Sequence, residues 1–140
     1  MLLSLHVLWP ATMLVLMGIC AQATAGTPTP PDAGKGQRLW QQRCAECHAV
    51  DTDETGPRHR GVFGRRAGSV KGYDYSRALR SANVKWDAGS LDRWLTDPEK
   101  FIPGQNMDFK VVDDGDRAAL IAYLKAIANP VEAATAAAGK

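Results

Sequence analysis

Three observations on the sequence predict an all-α fold. Apolar residues recur at helical spacing in three separate stretches, and no stretch of useful length alternates apolar and polar residues with the period of a strand. The segments between the helical stretches are long and rich in Gly and Pro. Connections of that length are unusual in a plain helical bundle, so these are expected to wrap an object of their own. A chain of 140 residues with a net charge of +2 and ordinary globular composition allows one domain.

The first segment stands apart. Residues 2–19 contain no Lys, Arg, Asp or Glu, and small residues follow in Ala21-Gln22-Ala23 and Ala23-Thr24-Ala25. Residues 1–25 therefore read as a secretory signal peptide cleaved after Ala23 or Ala25, and the expected location is the periplasm of a Gram-negative bacterium. No Lys or Arg precedes the apolar run, so an uncleaved membrane anchor is the alternative. Residues 26–33, with three prolines, read as a linker, and Asp32 is placed to cap the first helix of the domain.

The domain proper is expected over residues 34–128. Over 34–50, Leu39, Trp40, Cys44 and Cys47 fall at helical spacing, which predicts an amphipathic helix with Gly36 one turn from Trp40. Residues 50–72 carry charges, five glycines and Pro57, and read as loop. A short helix is expected over 73–82, capped by Asp74 or Ser76, and a better one over 87–96, capped by Asp87 with Leu91, Trp94 and Leu95 as its apolar stripe. Asp97-Pro98 ends it, because the residue before proline avoids helical geometry. Residues 99–112 read as loop. The last helix starts at Asp113 or Asp114 and carries Leu120, Ile121, Leu124 and Ile127 on one face, and Asn129-Pro130 stops it. Residues 129–140, rich in Ala, read as a mobile tail.

The chemistry lies at the end of the first helix, in Cys44-Ala45-Glu46-Cys47-His48. This is the C-x-x-C-H pattern of c-type haem attachment. On a helix, residues three apart share a face, so both thiols reach the two vinyl groups of one porphyrin. The next residue, His48, then falls beneath the iron and offers it a neutral nitrogen. A zinc site would need a second ligand pair, yet beyond Cys47 the chain holds no further cysteine and only His48 and His59. A thioredoxin-like dithiol expects β-branched runs, whereas these flanks are rich in Gln, Arg and Ala. Export agrees with the haem reading, because thioether attachment takes place outside the cytoplasm. Met107 is a candidate ligand for a simple reason: Met1, Met13 and Met17 all lie in the presumed signal.

From residue 34 to residue 128 the chain resembles class I cytochrome c, in its mitochondrial and bacterial c2-like branch. The matching blocks run in order: the haem motif, Thr55-Gly56-Pro57, Gly61-Val62-Phe63-Gly64-Arg65, Gly72-Tyr73-Asp74-Tyr75, Trp86, Leu95-Thr96-Asp97-Pro98, Ile102-Pro103-Gly104-Gln105-Asn106-Met107 and Leu120-Ile121-Ala122-Tyr123-Leu124-Lys125. The resemblance implies a small monohaem fold in which N- and C-terminal helices cross and long loops wrap one haem c, held covalently through Cys44 and Cys47. It implies His48 and Met107 as axial iron ligands, the Pro57 carbonyl as acceptor for the His48 proton, Gly36 and Trp40 crossing Leu120 and Tyr123, and Arg65, Tyr75, Ser76 and Trp86 as donors to a buried propionate. Four residues depart from the family's pattern near the haem: His59, Leu79, Trp94 and Gln105.

The function implied is one-electron transfer by an electron carrier. With both axial positions filled, no place remains for substrate or oxygen, which argues against an enzyme. Redox proteins are the expected partners, an exported dehydrogenase as donor and an oxidase or another cytochrome as acceptor, with the carrier a monomer and no nucleic acid involved. The alternatives are a haem subunit held permanently to an exported dehydrogenase, a weak peroxidase if Met107 is not bound, and a low-potential carrier ligated by His48 and His59. Around the haem edge Arg43, Lys100 and Lys110 are positive, but Glu99 and Asn106 stand where the family has lysines, and Asp108 and Asp113 add negative charge. Such a mixed ring should steer partners weakly.

Overall fold

The computed structural model describes residues 30–128. The stretches read as signal peptide (1–25) and as tail (129–140) lie outside the described residues. Five helices follow in order: α1 (Ala33–Arg43), α2 (Arg77–Ser81), α3 (Ala88–Thr96), α4 (Pro98–Phe101) and α5 (Asp114–Ala128). Among the described residues there is no strand, only an isolated antiparallel bridge between Arg66 and Lys85. No helix among them is long and apolar enough to cross a membrane.

The frame is the crossing of α1 and α5. Gly36 makes it possible: a Cβ there would sit 1.9 Å from the Ala119 carbonyl oxygen and 2.9 Å from the Tyr123 Cβ. The Trp40 ring then tilts against Tyr123 with centroids 5.9 Å apart. Leu120, buried to 1% exposure, and Val111 anchor the core behind the crossing.

α1 is shorter than the apolar spacing predicts. Asp32 caps it as expected, its Oδ1 accepting the Gly34 and Lys35 amides. At the other end the Cys44 and Ala45 amides both donate to the Trp40 carbonyl, which takes the chain out of the helical ladder at Arg43. Turns follow, in which the Cys47 and His48 amides return to the Cys44 carbonyl. The cysteines are thus brought together by a turn and not by a helical face. α2 is also shorter than expected. Ser76 caps it, accepting the Leu79 amide, while Asp74 pairs with Arg80 instead.

α3 has the predicted start, and its cap is reciprocal. Asp87 Oδ1 accepts the Ser90 amide while Ser90 Oγ accepts the Asp87 amide. α4 falls in a stretch expected to be loop. Asp97 ends α3 and also caps α4, accepting the Lys100 amide, with Pro98 in the first helical position, where its missing N–H costs nothing. The last helix, α5, begins at Asp114, and Asp113 Oδ1 accepts the Asp116 amide.

Candidate haem site

A cavity of about 480 Å³ opens between the helices and the loops, within the range of small-molecule sites. All nine residues singled out from the sequence, Cys44, Cys47, His48, Pro57, Arg65, Tyr75, Ser76, Trp86 and Met107, line it. They come from the turn after α1, the long loop before α2, the cap of α2, the segment just before the cap of α3, and the loop after α4.

His48 is fixed on several sides. Its Nδ1 lies 2.8 Å from the Pro57 carbonyl oxygen. A carbonyl only accepts, so Nδ1 carries the proton and Nε2 keeps its lone pair. Gly56 lies against the ring, since a Cβ there would sit 2.2 Å from His48 Cε1. Burial lowers the pKa of His48, with the Pro57 bond opposing, so the imidazole favours its neutral form.

His59 packs on the same ring, centroids 4.1 Å apart and planes 23° from parallel. Its Nδ1 accepts the Trp40 indole N–H at 2.7 Å. Indole is a donor only, so the His59 Nδ1 is unprotonated and the neutral ring bears its proton on Nε2. Its pKa falls well below the ordinary histidine value, through burial first and then the neighbouring His48 and Arg65.

Burial pushes the Cys44 thiol up to about 11. A redox-active dithiol needs a thiol pKa moved the other way, so the thioredoxin-like reading finds no support. Among the described residues no group of three or more His, Cys, Asp and Glu side chains could hold a metal ion, so a zinc site has no ligand set there.

Across the cavity Arg65 is half-buried. Its terminal nitrogens donate to the Arg60 and Arg58 carbonyls, both at 3.0 Å, but its buried Nε has no partner. Tyr75 and Trp86 are buried beside it, and desolvation raises the Tyr75 pKa. Met107 is half-buried, and its amide donates to the Gln105 side-chain oxygen.

The comparisons with known proteins agree with this geometry. Residues 33–128 match the cytochrome c family profile. Cytochrome c of Gossypium barbadense is 41% identical over 100 residues, 69% of this chain and 90% of that protein. Cytochrome c 2.1 of Caenorhabditis elegans is 42% identical over 97 residues, 67% of this chain and 87% of that protein. Among solved structures, cytochrome cH from Methylobacterium extorquens superposes with a TM-score of 0.65 at 38% identity, covering 67% of this chain and 97% of that one. The chain belongs to the cytochrome c family. As a cytochrome c it transfers electrons through one haem c, bound covalently through Cys44 and Cys47.

The residues present fit that group. The orphaned Arg65 Nε–H is a buried, cationic donor on a residue that lines the cavity, and such a group calls for an anionic acceptor, as a haem propionate would be. Arg58, through its carbonyl to Arg65, is a support this cytochrome c uses that sequence reasoning passed over. Trp40 is another: the hydrogen bond that fixes His59 comes from its indole and not from the backbone. A long-range bond of this kind leaves no mark in local spacing. Glu99, read from the sequence only as a rim charge, and Arg117, not singled out at all, also bond to the Met107 loop. The former stands in an exposed position that looks simply solvated, and the latter in the first turn of an otherwise ordinary helix.

Proposed function

We propose that this cytochrome c is an exported, periplasmic one-electron carrier whose iron is held between His48 Nε2 and the Met107 sulfur. The bound haem supplies the redox centre, its iron changing between ferrous and ferric. The observation that carries the ligand assignment is the His48–Pro57 bond, which leaves Nε2 as the only basic nitrogen of that ring beside a cavity also lined by Met107. Pro57 raises the basicity of His48 and holds its tautomer. The soft Met107 thioether, as a ligand, would favour the reduced state and raise the potential. Arg65, Tyr75, Ser76 and Trp86 would receive a buried propionate, while Leu79 and Trp94, both lining the cavity, would keep water from its interior.

Ligation by His48 and His59 together is disfavoured by the same geometry. Two rings stacked face to face leave no room for iron and a porphyrin between them, and His59 Nδ1 is already taken by Trp40. With His48 and Met107 both bound, no iron position is open to substrate, which supports a carrier over an enzyme.

The partners are an exported dehydrogenase as donor and an oxidase or second cytochrome as acceptor, each meeting the monomer through a modestly charged face. Two of the rim cations are already occupied. Arg43 pairs with Asp116 at 3.1 Å and Lys110 with Asp97 at 2.8 Å. Transfer rates should therefore fall only shallowly as salt rises.

Replacing Met107 tests the reading. Met107→Ala should lower the potential and open the ferric iron to cyanide, read by voltammetry and by the visible spectrum. An unchanged potential with unchanged cyanide binding would exclude Met107. The intact mass of protein from the periplasmic fraction tests export, with an N-terminus at Thr24 or Gly26 expected and retention of the first residues in a membrane fraction counting against it.

A further inference from the structure

The loop carrying Met107 is bracketed by two carboxylates, one from the first turn of α4 and one from its cap. Glu99 accepts the Gly104 amide with both oxygens, at 3.0 and 3.1 Å, and accepts the Gln105 side-chain N–H at 3.3 Å. The other end of the same amide, Gln105 Oε1, takes the Met107 N–H. The orientation of that amide is dictated chemically, since an ionised carboxylate can only accept and a backbone N–H can only donate. Beyond Met107, Asp97 Oδ2 takes the Lys110 ammonium at 2.8 Å, and the Val111 amide returns to the Leu95 carbonyl at 2.8 Å. Met107 thus lies between a tie at Gly104 and Gln105 and a tie at Lys110, both reaching back to α4 and its cap.

α4 itself is seated firmly. Pro98 and Ile102 are buried beneath it, the Ile102 amide closes on the Pro98 carbonyl at 2.9 Å, and Arg93 of α3 lies over the Phe101 ring at 4.8 Å from its centroid. The exposed carboxylate of Glu99 is therefore presented by an anchored turn to an otherwise irregular loop.

We propose that α4 acts as a clip that keeps Met107 at the iron, with Glu99 and Gln105 as its positioning residues. This rests on the reading of Met107 as ligand. Opening the clip lets the loop swing and frees the iron position for an outside ligand. Closing it returns the Met107 backbone to one place, so the sulfur has less freedom to lose on binding. Glu99, which as a rim charge would matter for docking, is on this view first of all part of the ligand's scaffold.

The experiment is stopped-flow binding of imidazole, in its neutral form so that removing a charge does not steer it, to the ferric holoprotein. Wild type is compared with Met107→Ala, Glu99→Ala, Glu99→Gln, Gln105→Leu and the double variant Glu99→Ala with Gln105→Leu. Glu99→Ala and Gln105→Leu should each bind imidazole about fivefold faster, as expected for losing one such hydrogen-bonded tie. The double variant should go faster than either single one but by less than the product of their two effects, because both belong to one network. Glu99→Gln keeps a carbonyl oxygen for Gly104 and should stay within about twofold of wild type. The ferric iron–sulfur charge-transfer absorption should weaken in the same order. Rates for Glu99→Ala within about twofold of wild type would overturn the clip while leaving the ligand assignment standing. If Met107→Ala bound imidazole no faster than wild type, the assignment itself would fail and the clip with it.

Discussion

The two candidate iron ligands are held by different kinds of structure. His48 is fixed from beneath: a backbone carbonyl takes its proton, Gly56 leaves no room behind it, and His59 lies flat on the ring while Trp40 ties that ring to α1. Trp40 in turn packs at the α1/α5 crossing, so the proximal side is continuous with the core of the fold. Met107 sits on a loop whose far end is bonded through the Val111 amide to the Leu95 carbonyl and whose other ties are side chains, Glu99 and Lys110 at the surface and Arg117 largely buried. Arg117 is the most buried of these, its side chain 11% exposed, donating to the Val111 and Val112 carbonyls and to Asp92. Exposed ties each contribute little and exchange with water, whereas close packing tolerates almost no displacement. The candidate proximal ligand is held by packing, and the Gly104–Gln105 side of the Met107 loop is held by exposed interactions that open singly.

The sharpest way to break that contrast is at the crossing. Gly36→Ala places a Cβ against the backbone of Ala119, which cannot move aside as a side chain would. The cost should be at least about 3 kcal/mol, at the upper end for overpacking, read as a shifted denaturant midpoint by haem absorbance. A shift below about 0.5 kcal/mol, the size of an ordinary surface substitution, would show that the helices part easily and that the proximal frame is not the rigid half.

A smaller effect is expected at Gly56. There an added methyl meets the His48 ring, which is movable, so Gly56→Ala should cost about 2 kcal/mol and change the ferric spectrum by turning the imidazole. An altered stability with an unaltered spectrum would mean that the loop, and not the ring, gives way.

On the distal side, Arg117→Met leaves two carbonyls and Asp92 without their donor. A loss of about 1–2 kcal/mol is expected, with imidazole entry at the iron speeded and the proximal hydrogen bond untouched. An NMR signature of the His48 Nδ1 proton that moved as much as the distal loop would contradict the division between the two sides.

The same division explains what the sequence revealed. The haem motif is legible because attachment chemistry limits which residue types can serve, Pro57 and Met107 are legible as residues that line the cavity, and α5 is legible because its apolar face repeats through Leu120, Ile121, Leu124 and Ile127. The end of α1 was misread because Cys44 and Cys47 continue its spacing, yet that spacing is set by the porphyrin and satisfied by a turn. α4 is not predicted because Asp97-Pro98 reads as a stop, although a capping Asp followed by Pro is also a start. The partner of His59 lies far off along the chain, and the role of Glu99 depends on where a loop folds back, so neither could be read from local pattern.

The smallest effect concerns His59 and acid. Its pKa in the folded protein is depressed, mainly by burial, so folding favours the neutral ring. The unfolded chain binds a proton near the ordinary histidine value, about 6.5. The stability that this neutral ring contributes is therefore complete above that pH and is lost as pH falls below it toward the folded value. One proton sets the steepest possible slope, about 1.4 kcal/mol per pH unit, and about 1 kcal/mol should be lost over the first pH unit below the ordinary value. Thermal melts of wild type should fall across that window, and those of His59→Leu should fall less. The potential should behave differently. While Trp40 donates to Nδ1 the ring cannot gain its second proton without breaking that bond, so voltammetry of the folded protein should give no His59-dependent step over the same window. A step present in wild type and absent in His59→Leu would mean that the ring charges in place, and that the proximal side is softer than its packing implies.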